Sequence, residues 1–400
     1  MAPRGFAPEE FRGRVARLQA GMAGAGMDAL LLTTPPDVFY ATGFLTRFWE
    51  SPARPWFIVV PAEGDPIAVI PSIGADLMRK TWLRDIRTWL SPDLEDDGVS
   101  LLGQTLAEVL PEAGVLGVPM GHETTLRMPL ADFERLRAGL GARKIADATG
   151  VVRRVREVKS DAEIAKIRAI CAVADRAFAR VPEIAGIGRP LDVVFRDFQR
   201  LLIEEGADWV PYLAGGAGQG GYGDVISPAG SDALMAGDLL MLDTGAVRDG
   251  YFCDFDRNYA VGRVDDAVNR AHDILYAATE AGLAVAKPGA TASDLFHAMQ
   301  RVIGQEGEAG RLGHGLGLSL TEWPSLIARD HTPLRVGMVL TLEPGIEIAP
   351  QKMQGKIMVH EENIVITEQG AELLSTRAPA ILPVLEQDPC WSKPWPMNLP

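Results

Sequence analysis

Cysteine is scarce in this chain, with three residues in 400: Cys171, Cys253 and Cys390. They are odd in number and far apart. They therefore give neither the paired framework of a small secreted protein nor the close spacing of a zinc ribbon. A fold held by disulfides is excluded, and a reducing, cytoplasmic location is the simpler expectation.

Long apolar runs and basic clusters are also missing. No uncharged apolar stretch reaches the roughly 18 residues that a membrane-spanning helix needs, and the charged N-terminus lacks the apolar core of a secretion signal. Acidic residues outnumber basic ones by 53 to 39, which gives a formal net charge of −14. We therefore expect neither a nucleic-acid partner nor a membrane partner.

The length and the sequence pattern predict two domains. Four hundred residues are too many for one ordinary core, and the pattern changes near residue 150. Over 1–150, helical periodicity alternates with short apolar strands, which predicts an α/β domain. Helical spacing of Phe11, Val15, Leu18 and Met22 predicts its first helix, and the apolar run 29–32 predicts a short buried strand after it. Over 151–400, long helices, expected at about 161–180, 190–206, 266–286 and 291–305, mix with short strands in an α+β pattern. The stretch 151–170 at its start is charged and helical, with Ser160 or Asp161 as the expected N-cap.

Two other segments have unusual composition. The stretch GGAGQGGYGD at 215–224 lacks the Lys-Ser/Thr of a phosphate-binding loop and the strand–glycine–helix context of a dinucleotide site. We interpret it as a flexible loop near an active site. The segment 388–400 contains recurring proline, which argues against a helix. Its two tryptophans predict docking on the body or on a second subunit.

Three aspartates lie along a predicted strand, turn and returning strand. Asp243 ends a run of four apolar residues, so its carboxylate is predicted at the exit of a buried strand. Asp254 and Asp256 alternate along the returning strand and share a face. Such a cluster is costly unless cations neutralise it. From these residues alone, a solvated outer strand with Arg257 as ion-pair partner is the alternative.

Three later stretches favour a metal site. His314 lies in the glycine-rich segment GHGLGL, where backbone can approach closely, and Glu343 ends an apolar strand before a Pro-Gly turn. Glu361 belongs to an acidic pair inside the strand-like run 357–366. Buried carboxylates need a partner, and no lysine or arginine stands directly beside these. Such an oxygen-rich set suits manganese, iron or cobalt, with zinc as a further candidate.

Taken together, these motifs resemble those of the pita-bread metallohydrolases, peptidase family M24, which include methionine aminopeptidase, aminopeptidase P, prolidase and creatinase. The stretch DVFYATGF at 37–44 is similar to the signature of the N-terminal domain in the aminopeptidase P, prolidase and creatinase branch. RVREVKS at 154–160 is similar to the junction. The resemblance implies a creatinase-like N-terminal α/β domain followed by a pita-bread catalytic domain, in a homodimer.

The family's five metal ligands fall on residues that match in order and context. By that resemblance, Asp243, Asp254 and Glu361 hold one divalent ion. Asp254 and Glu361 also bridge to a second ion held by His314 and Glu343. The resemblance implies hydrolysis of an Xaa-Pro bond in a small peptide, with a metal-bridging water converted to hydroxide near neutral pH. Glu343 would shuttle the proton.

Two histidines that peptidases of this branch usually carry are replaced. Ile226 stands about seventeen residues before the first aspartate, and Thr321 stands seven residues after the ligand histidine. Threonine donates one hydrogen bond but carries no positive charge, so Thr321 is a catalytic candidate of reduced capacity. Asp256 stands where threonine is common. It is a candidate extra ligand, supporting group or binder of a cationic substrate.

These replacements support a second hypothesis, a metal-dependent enzyme of the same fold that acts on a small non-peptide substrate. Such an enzyme would be a C–N hydrolase, or a lyase like the dimethylsulfoniopropionate lyases of the superfamily. Trp323, close to the ligand histidine, together with Asp256 is compatible with a small cationic substrate. A metal-retaining binding module without catalysis is the third hypothesis.

Two more residues are candidates for the surroundings of the site. Tyr212 precedes the glycine-rich stretch and is a candidate pocket residue, with a core or interface role as the alternative. His360 neighbours Glu361 but is predicted to point to the opposite strand face, in a supporting or structural role.

Overall fold

The computed structural model describes residues 3–49, 54–305, 310–348 and 355–385. The chain divides into two compact units between Arg156 and Glu157. The segment 388–400, with its predicted docking role, lies outside the described residues. Within the described ranges, no helix is both long and apolar enough to cross a membrane.

The N-terminal unit contains one mixed sheet. Its strands are β1 (Ala29–Leu32), β2 (Phe57–Pro61), β3 (Ile67–Pro71), β4 (Ile86–Trp89), β5 (Val115–Val118) and β6 (Lys144–Asp147). Over residues 3–49 and 54–156 these six strands pair in the order β4-β3-β2-β1-β5-β6. β1 pairs antiparallel with β2 and parallel with β5, and all four of its residues are buried. The apolar run predicted as a strand is therefore central to the sheet.

The helices of this unit connect and cover the strands. They are α1 (Pro8–Gly24), α2 (Pro35–Thr42), α3 (Ala75–Met78), α4 (Val99–Val109), α5 (Leu130–Gly139) and α6 (Thr149–Arg156), with a 3-10 turn at Ser72–Gly74. α1 buries Phe11, Val15, Leu18 and Met22, the residues whose helical spacing predicted it. In the core, Leu102 of α4 belongs to one apolar cluster with residues of β1, β2 and β3.

The C-terminal unit combines several sheets. Its strands are β7 (Trp209–Gln219), β8 (Asp238–Arg248), β9 (Tyr251–Phe252), β10 (Phe255–Val261), β11 (His314–Gly315), β12 (Glu322–Ser325), β13 (Val339–Leu342), β14 (Gly345–Glu347), β15 (Ile357–Val359), β16 (Glu362–Thr367), β17 (Gly370–Leu373) and β18 (Val384–Leu385). One sheet has the order β18-β10-β8-β7, with β9 on β8. A second has the order β12-β11-β13-β16-β17, and β14 and β15 form a separate pair.

Four helices of this unit lie where the sequence predicts long helices. They are α7 (Asp161–Ala179), α8 (Leu191–Glu205), α9 (Asp266–Val285) and α10 (Ala292–Ile303), with a 3-10 turn at Val181–Glu183. Leu275 of α9 and Leu295 of α10 join Leu340 of β13 and Ile364 of β16 in a large buried apolar cluster. α9 and α10 therefore pack on the second sheet, which supports the strands that carry part of the site.

The charged helical stretch 151–170 contains the end of one helix and the beginning of the next. α6 ends and α7 begins with an extended stretch between them, in which Val158 forms an antiparallel bridge with Met338. Ser160 starts α7 with a capping box. Its hydroxyl accepts the N–H of Glu163 at 3.3 Å, and the Glu163 carboxylate accepts the N–H of Ser160 at 3.0 Å. The predicted cap and the predicted helix start near residue 161 are confirmed. The extended stretch before α7 forms a contact distant in sequence, which the sequence pattern did not indicate.

The glycine-rich stretch is partly strand rather than a flexible loop. Residues 215–219 complete β7, which pairs with β8 along its whole length. A Cβ at Gly215 would lie 2.2 Å from the carbonyl oxygen of Met241 on the neighbouring strand. Glycine is therefore required there for close backbone approach, which explains a glycine-rich composition inside a sheet.

Two predicted strands are interrupted, and both interruptions carry candidate ligands. The returning strand after Asp243 divides into β9 and β10, with Asp254 in the gap. The run 357–366 divides into β15 and β16, with Glu361 in the gap, because β15 pairs with β14 whereas β16 pairs with β13 in another sheet. Asp243 lies in the middle of β8 rather than at a strand exit.

Candidate metal centre

The five candidate ligands reach one cavity from separate strands of the two sheets. Asp243 belongs to β8, and His314 belongs to β11. Glu343 directly follows β13, as predicted, and Asp254 and Glu361 occupy the two strand interruptions. All five side chains line a cavity of about 150 Å³. Residues separated by more than a hundred positions thus lie within one small volume.

The side-chain atoms are close enough to share a cation. Nε2 of His314 lies 3.4 Å from Oδ2 of Asp254 and 3.4 Å from Oε2 of Glu343. Ligand atoms of Asp254, His314 and Glu361 all lie within 4.8 Å of one another, and these three residues are buried. One imidazole with several carboxylates at this spacing is a donor set for a hard divalent ion.

Backbone contacts fix the imidazole in the orientation that a metal ligand needs. Nδ1 of His314 lies 2.8 Å from the carbonyl oxygen of Gly315. A carbonyl only accepts, so Nδ1 carries the proton and Nε2 presents its lone pair to the carboxylates. The Thr341 hydroxyl accepts the N–H of His314 at 3.0 Å and donates to Glu343 at 3.1 Å. Thr341 therefore positions two candidate ligands at once.

Glycines around the histidine allow this packing. A Cβ at Gly313 would lie 2.3 Å from the carbonyl oxygen of Thr341. A Cβ at Gly315 would lie 2.2 Å from that of Trp323. The close backbone approach predicted from the GHGLGL segment is confirmed.

The cluster is electrostatically costly on its own. Burial, followed by the charge of Asp254, raises the pKa of Asp243 to about 8. Burial also raises the pKa of Asp254 and of Glu361 well above the ordinary range, with neighbouring carboxylates adding to the effect. Anionic carboxylates packed in this way require positive charge nearby, which bound cations provide.

Unused hydrogen-bonding capacity shows that divalent ions fit this site. Oδ1 of Asp243 and Oε1 of Glu361 are buried, yet neither accepts a hydrogen bond from any described residue. Buried acceptors in proteins are rarely left in that state. Their oxygens lie in the cavity that also contains the lone pair of His314. The donor set therefore suits metal coordination better than it suits a hydrogen-bonded core.

Asp256 lies directly behind the ligands. It is opposite Asp243 in the β8–β10 register, as a neighbour across the sheet. Its Oδ1 accepts the backbone N–H of Glu361 at 2.6 Å, and its Oδ2 accepts from Nδ2 of Asn258 at 3.1 Å. Asp256 lines the metal cavity together with Asp254, but both of its oxygens already have protein donors.

Arg257 does not pair with the aspartate side chains, which was the alternative drawn from the sequence. Its guanidinium lies 3.0 Å from Oε2 of Glu362, and it also donates to the backbone oxygen of Glu361. Arg377 contacts the other Glu362 oxygen at 3.1 Å. The second acid of the Glu361–Glu362 pair therefore has two arginine side chains as partners, and the carboxylate of the first has none among the described residues.

The predicted substrate residues separate into two groups. Tyr212 and Thr321 line the metal cavity. Trp323 is not among the described residues that line it, and its indole N–H donates to the Thr332 hydroxyl at 3.1 Å. Ile226 is 79% exposed and does not line it either.

His360 faces away from the metal cavity. Its Nε2 lies 3.0 Å from Nδ1 of His272, and both imidazoles line a separate cavity of about 300 Å³. Burial lowers the pKa of His360 well below its ordinary value. The two rings are therefore neutral neighbours behind the strand interruption that contains Glu361.

Two residues at the site, Asn363 and Arg311, were not predicted from the sequence. Asn363 accepts the N–H of Asp254 at 2.9 Å and donates to the Asp254 carbonyl, which fixes the interruption between β9 and β10. Arg311 lines the metal cavity three residues before His314. In the sequence, the position of Arg311 beside the GHGLGL segment was the feature that could have placed it at the site.

Comparisons with known proteins agree with this geometry. The model of metallopeptidase family M24 matches residues 165–368, and the model of the creatinase/prolidase N-terminal domain matches residues 14–158. The chain belongs to metallopeptidase family M24. Both the predicted family and the predicted fold, a creatinase-type N-terminal domain before a pita-bread catalytic domain, are confirmed, and the enzyme is a metallohydrolase.

Individual relatives of this M24 chain are peptidases by name. A probable dipeptidase PepE of Mycobacterium tuberculosis is 30% identical over 377 residues, covering 93% of this chain and 96% of the relative. An Xaa-Pro dipeptidase of Pyrococcus horikoshii is 27% identical over 355 residues, covering 87% and 93%. The crystal structure of dipeptidase PepE from Mycobacterium ulcerans has a TM-score of 0.82 at 28% identity, covering 96% of this chain and 100% of that one.

Proposed function

We propose that this chain is a dinuclear metal-dependent dipeptidase that cleaves Xaa-Pro bonds. The observation that supports this most is the convergence of four carboxylates and one imidazole on a single small cavity. The relatives named dipeptidase and Xaa-Pro dipeptidase support the reaction class. Asp243, Asp254, His314, Glu343 and Glu361 would hold the two ions, with manganese, iron or cobalt preferred and zinc as a further candidate.

Bound divalent ions would polarise the scissile carbonyl and make an attacking water more acidic. The protein's own contribution is to hold the ligands and to move a proton. Glu343 is the best candidate to transfer this proton, because its side chain is 24% exposed whereas that of Asp254 is 6% exposed. A carboxylate that reaches both the cavity and solvent can accept a proton and release it. The Thr341 hydroxyl holds Glu343 in place at 3.1 Å.

The size of the cavity supports a small substrate. Its volume of about 150 Å³ is below the range of roughly 300–1,000 Å³ typical of pockets for drug-sized ligands. A dipeptide suits that space better than a longer peptide. Tyr212 and Thr321 line its wall and would contribute neutral hydrogen bonds to the substrate. Burial raises the pKa of the Tyr212 phenol, so the phenol stays neutral. Its hydroxyl donates to the Val225 carbonyl oxygen at 3.3 Å, which leaves its oxygen as an acceptor toward the cavity.

A small non-peptide substrate is the second candidate function. Thr321 supports it, because a threonine at the cavity wall cannot carry the positive charge of a histidine. Asp256 supports a cationic non-peptide substrate less strongly than the sequence indicated. Its two oxygens already accept N–H groups of Glu361 and Asn258, which reduces its capacity to bind a cationic substrate.

The test is turnover of Gly-Pro and Gly-Pro-Gly by manganese-reconstituted enzyme, with metal content measured in parallel. We expect hydrolysis of Gly-Pro, and loss of both bound metal and turnover in Glu361→Ala. No cleavage by fully loaded enzyme would contradict the Xaa-Pro assignment and favour the small non-peptide substrate. We also propose a cytoplasmic homodimer, which light scattering at several concentrations checks.

A further inference from the structure

A second cavity lies behind the metal centre in the C-terminal unit, and Asp256 lines both cavities. Its volume is about 300 Å³, which is at the lower end of the roughly 300–1,000 Å³ of small-molecule pockets and suits one aromatic ring system. Buried His360 lines it as well. The lining is mostly apolar, and we call this cavity the back groove; its apolar side chains include Phe178, Ala179, Pro182, Pro379 and Pro383.

The charged side chains of the back groove already have partners. Arg257 and Arg377 both pair with Glu362, and Asp175 accepts from the Thr376 hydroxyl at 2.9 Å. An ionic ligand would have to displace one of these contacts inside a mostly apolar lining, which is costly. The back groove therefore favours a neutral ligand with a large apolar part.

One buried nitrogen of the back groove has no hydrogen-bond partner among the described residues. Nε2 of His272 lies 3.0 Å from the carbonyl oxygen of Pro379, so it carries the proton, and Nδ1 of His272 accepts from Nε2 of His360 at 3.0 Å. This order leaves Nδ1 of His360 as an acceptor without a donor, on a side chain that is 2% exposed. Buried acceptors are rarely left in that state. A ligand of the back groove should therefore donate one hydrogen bond.

The C-terminal segment of this chain contains side chains with that chemistry. A tryptophan side chain combines a large apolar ring system with an N–H group that donates and does not accept. Residues 386–400, which lie outside the described residues, contain Trp391 and Trp395. The described chain passes the back groove just before this segment, since Pro383 is part of the lining.

The length of chain available favours Trp395 over Trp391. β18 runs parallel to β10 with Leu385 opposite Val261. To reach the back groove the chain must turn back over the five residues from Val261 to Asp256, which is about 17 Å at strand spacing. The ten residues from Leu385 to Trp395 span at most about 36 Å, whereas the six to Trp391 span at most about 22 Å and leave little chain for the reversal.

We propose that Trp395 docks in the back groove of its own chain and donates its indole N–H to Nδ1 of His360. The docked ring packs beside the residue that precedes Glu361, on the side that faces away from the metal cavity. The C-terminal segment thus supports the metal centre from behind. This inference is independent of the proposed dipeptidase function, because it concerns a contact of the folded chain and its tests need no turnover.

Fluorine NMR of the full chain labelled with 5-fluorotryptophan tests this contact. The chain has eight tryptophans, and Trp391→Phe and Trp395→Phe assign the two signals of the C-terminal segment. The Trp395 signal should be protected from a soluble paramagnetic agent, whereas the Trp391 signal should broaden. Ala179→Phe places a ring in the back groove and should expose Trp395. Ala138→Phe, at an exposed helical alanine that does not line the back groove, is the matched control and should leave Trp395 protected.

Chemical rescue provides an independent measurement. Trp395→Ala empties the back groove, and its melting temperature should fall by about 2–4 °C. Added indole should restore most of this loss, and 1-methylindole, which lacks the N–H, should restore clearly less. Equal rescue by the two compounds would overturn the hydrogen bond to His360.

Three NMR results would overturn the docking itself. They are a wild-type Trp395 signal that broadens like that of Trp391, a Trp395 signal that stays protected in Ala179→Phe, and protection that increases with protein concentration. The last result would assign the back groove to the C-terminal segment of a second copy.

Discussion

Oδ1 of Asp256 accepts the backbone N–H of Glu361 at 2.6 Å, and this bond joins β10 to the gap between β15 and β16. The chain changes sheet at that gap, and among the described strands none pairs with the Glu361 backbone. Asp256 provides the missing acceptor. Of the three roles open from the sequence, the structure favours that of a supporting group behind the ligands.

Replacing Asp256 should therefore weaken the metal site without removing any ligand. In Asp256→Ala the Glu361 N–H loses its acceptor, and we expect metal affinity to fall about 10- to 100-fold, as for other groups that orient metal ligands. Asp256→Asn keeps one acceptor oxygen and should lose less. Calorimetric titration of manganese into metal-free protein measures both variants. Wild-type affinity in Asp256→Ala would rule out the positioning role.

The neighbouring glutamates should behave in opposite ways. Glu361→Gln removes a candidate ligand that has an unused buried oxygen and a repelling charge, so we expect loss of bound metal and no loss of stability in the metal-free protein. Glu362→Gln removes the anion shared by Arg257 and Arg377. We expect it to keep the metals but to lower the free energy of unfolding by about 3 kcal/mol.

Metal analysis and urea denaturation of the metal-free proteins distinguish these two variants. Each variant is the control for the other, since both change one carboxylate to an amide at adjacent positions. Metal lost from Glu362→Gln and retained by Glu361→Gln would reverse the ligand assignment.

Thr321→His should raise peptidase activity, because Thr321 lines the cavity and an imidazole there can carry positive charge. We expect a rise of about 10-fold in kcat/KM for Gly-Pro, below the roughly 10²- to 10⁴-fold that an optimally placed acid–base group contributes. Ile226→His is the matched control. Ile226 is 79% exposed outside the cavity, so that variant should leave activity unchanged. If neither variant raises turnover, Thr321 does not contact the reacting peptide.

Metal-free protein should lose stability as the pH rises. The folded-state pKa of Asp243 is raised to about 8 from an ordinary 3.8, and those of Asp254 and Glu361 are raised as well. At a pH between the unfolded-state and folded-state pKa values of a carboxylate, the folded state then binds more protons than the unfolded state. The free energy of unfolding should therefore fall from about pH 4 to about pH 8, by a few kcal/mol.

Urea denaturation with a chelator at pH 5, 6.5 and 8 tests this pH dependence. With manganese present, the protein should instead become more stable as the pH rises, because metal binding releases the protons held by these carboxylates. Asp243→Asn should flatten the curve of the metal-free protein. A metal-free protein that becomes more stable between pH 5 and 8 would contradict the buried, mutually repelling carboxylates.

Local sequence signals were sufficient for much of the fold. The four-residue apolar run at Ala29–Leu32 and the Ser160 cap are determined by neighbours in sequence, and both are found as predicted. The position of Glu343 after β13 follows from an apolar run ended by Pro-Gly. These features depend on periodicity and turn chemistry, which a single sequence displays.

The remaining features depend on contacts that the sequence does not display. The gap at Glu361 exists because its flanking strands pair in different sheets, and the break after α6 exists because Val158 bridges to Met338. Strand 215–219 contains glycine because Met241 on the next strand leaves no room for a Cβ. Partners of this kind become neighbours only after folding, so periodicity alone could not predict them.

Anomalous diffraction from crystals of the manganese-loaded enzyme would locate the ions among the five candidate ligands. We expect two manganese peaks per chain, with Asp254 and Glu361 contacting both, Asp243 contacting one, and His314 and Glu343 contacting the other. No peak among these five side chains, or a peak held by Asp256 in place of one of them, would contradict the proposed metal centre.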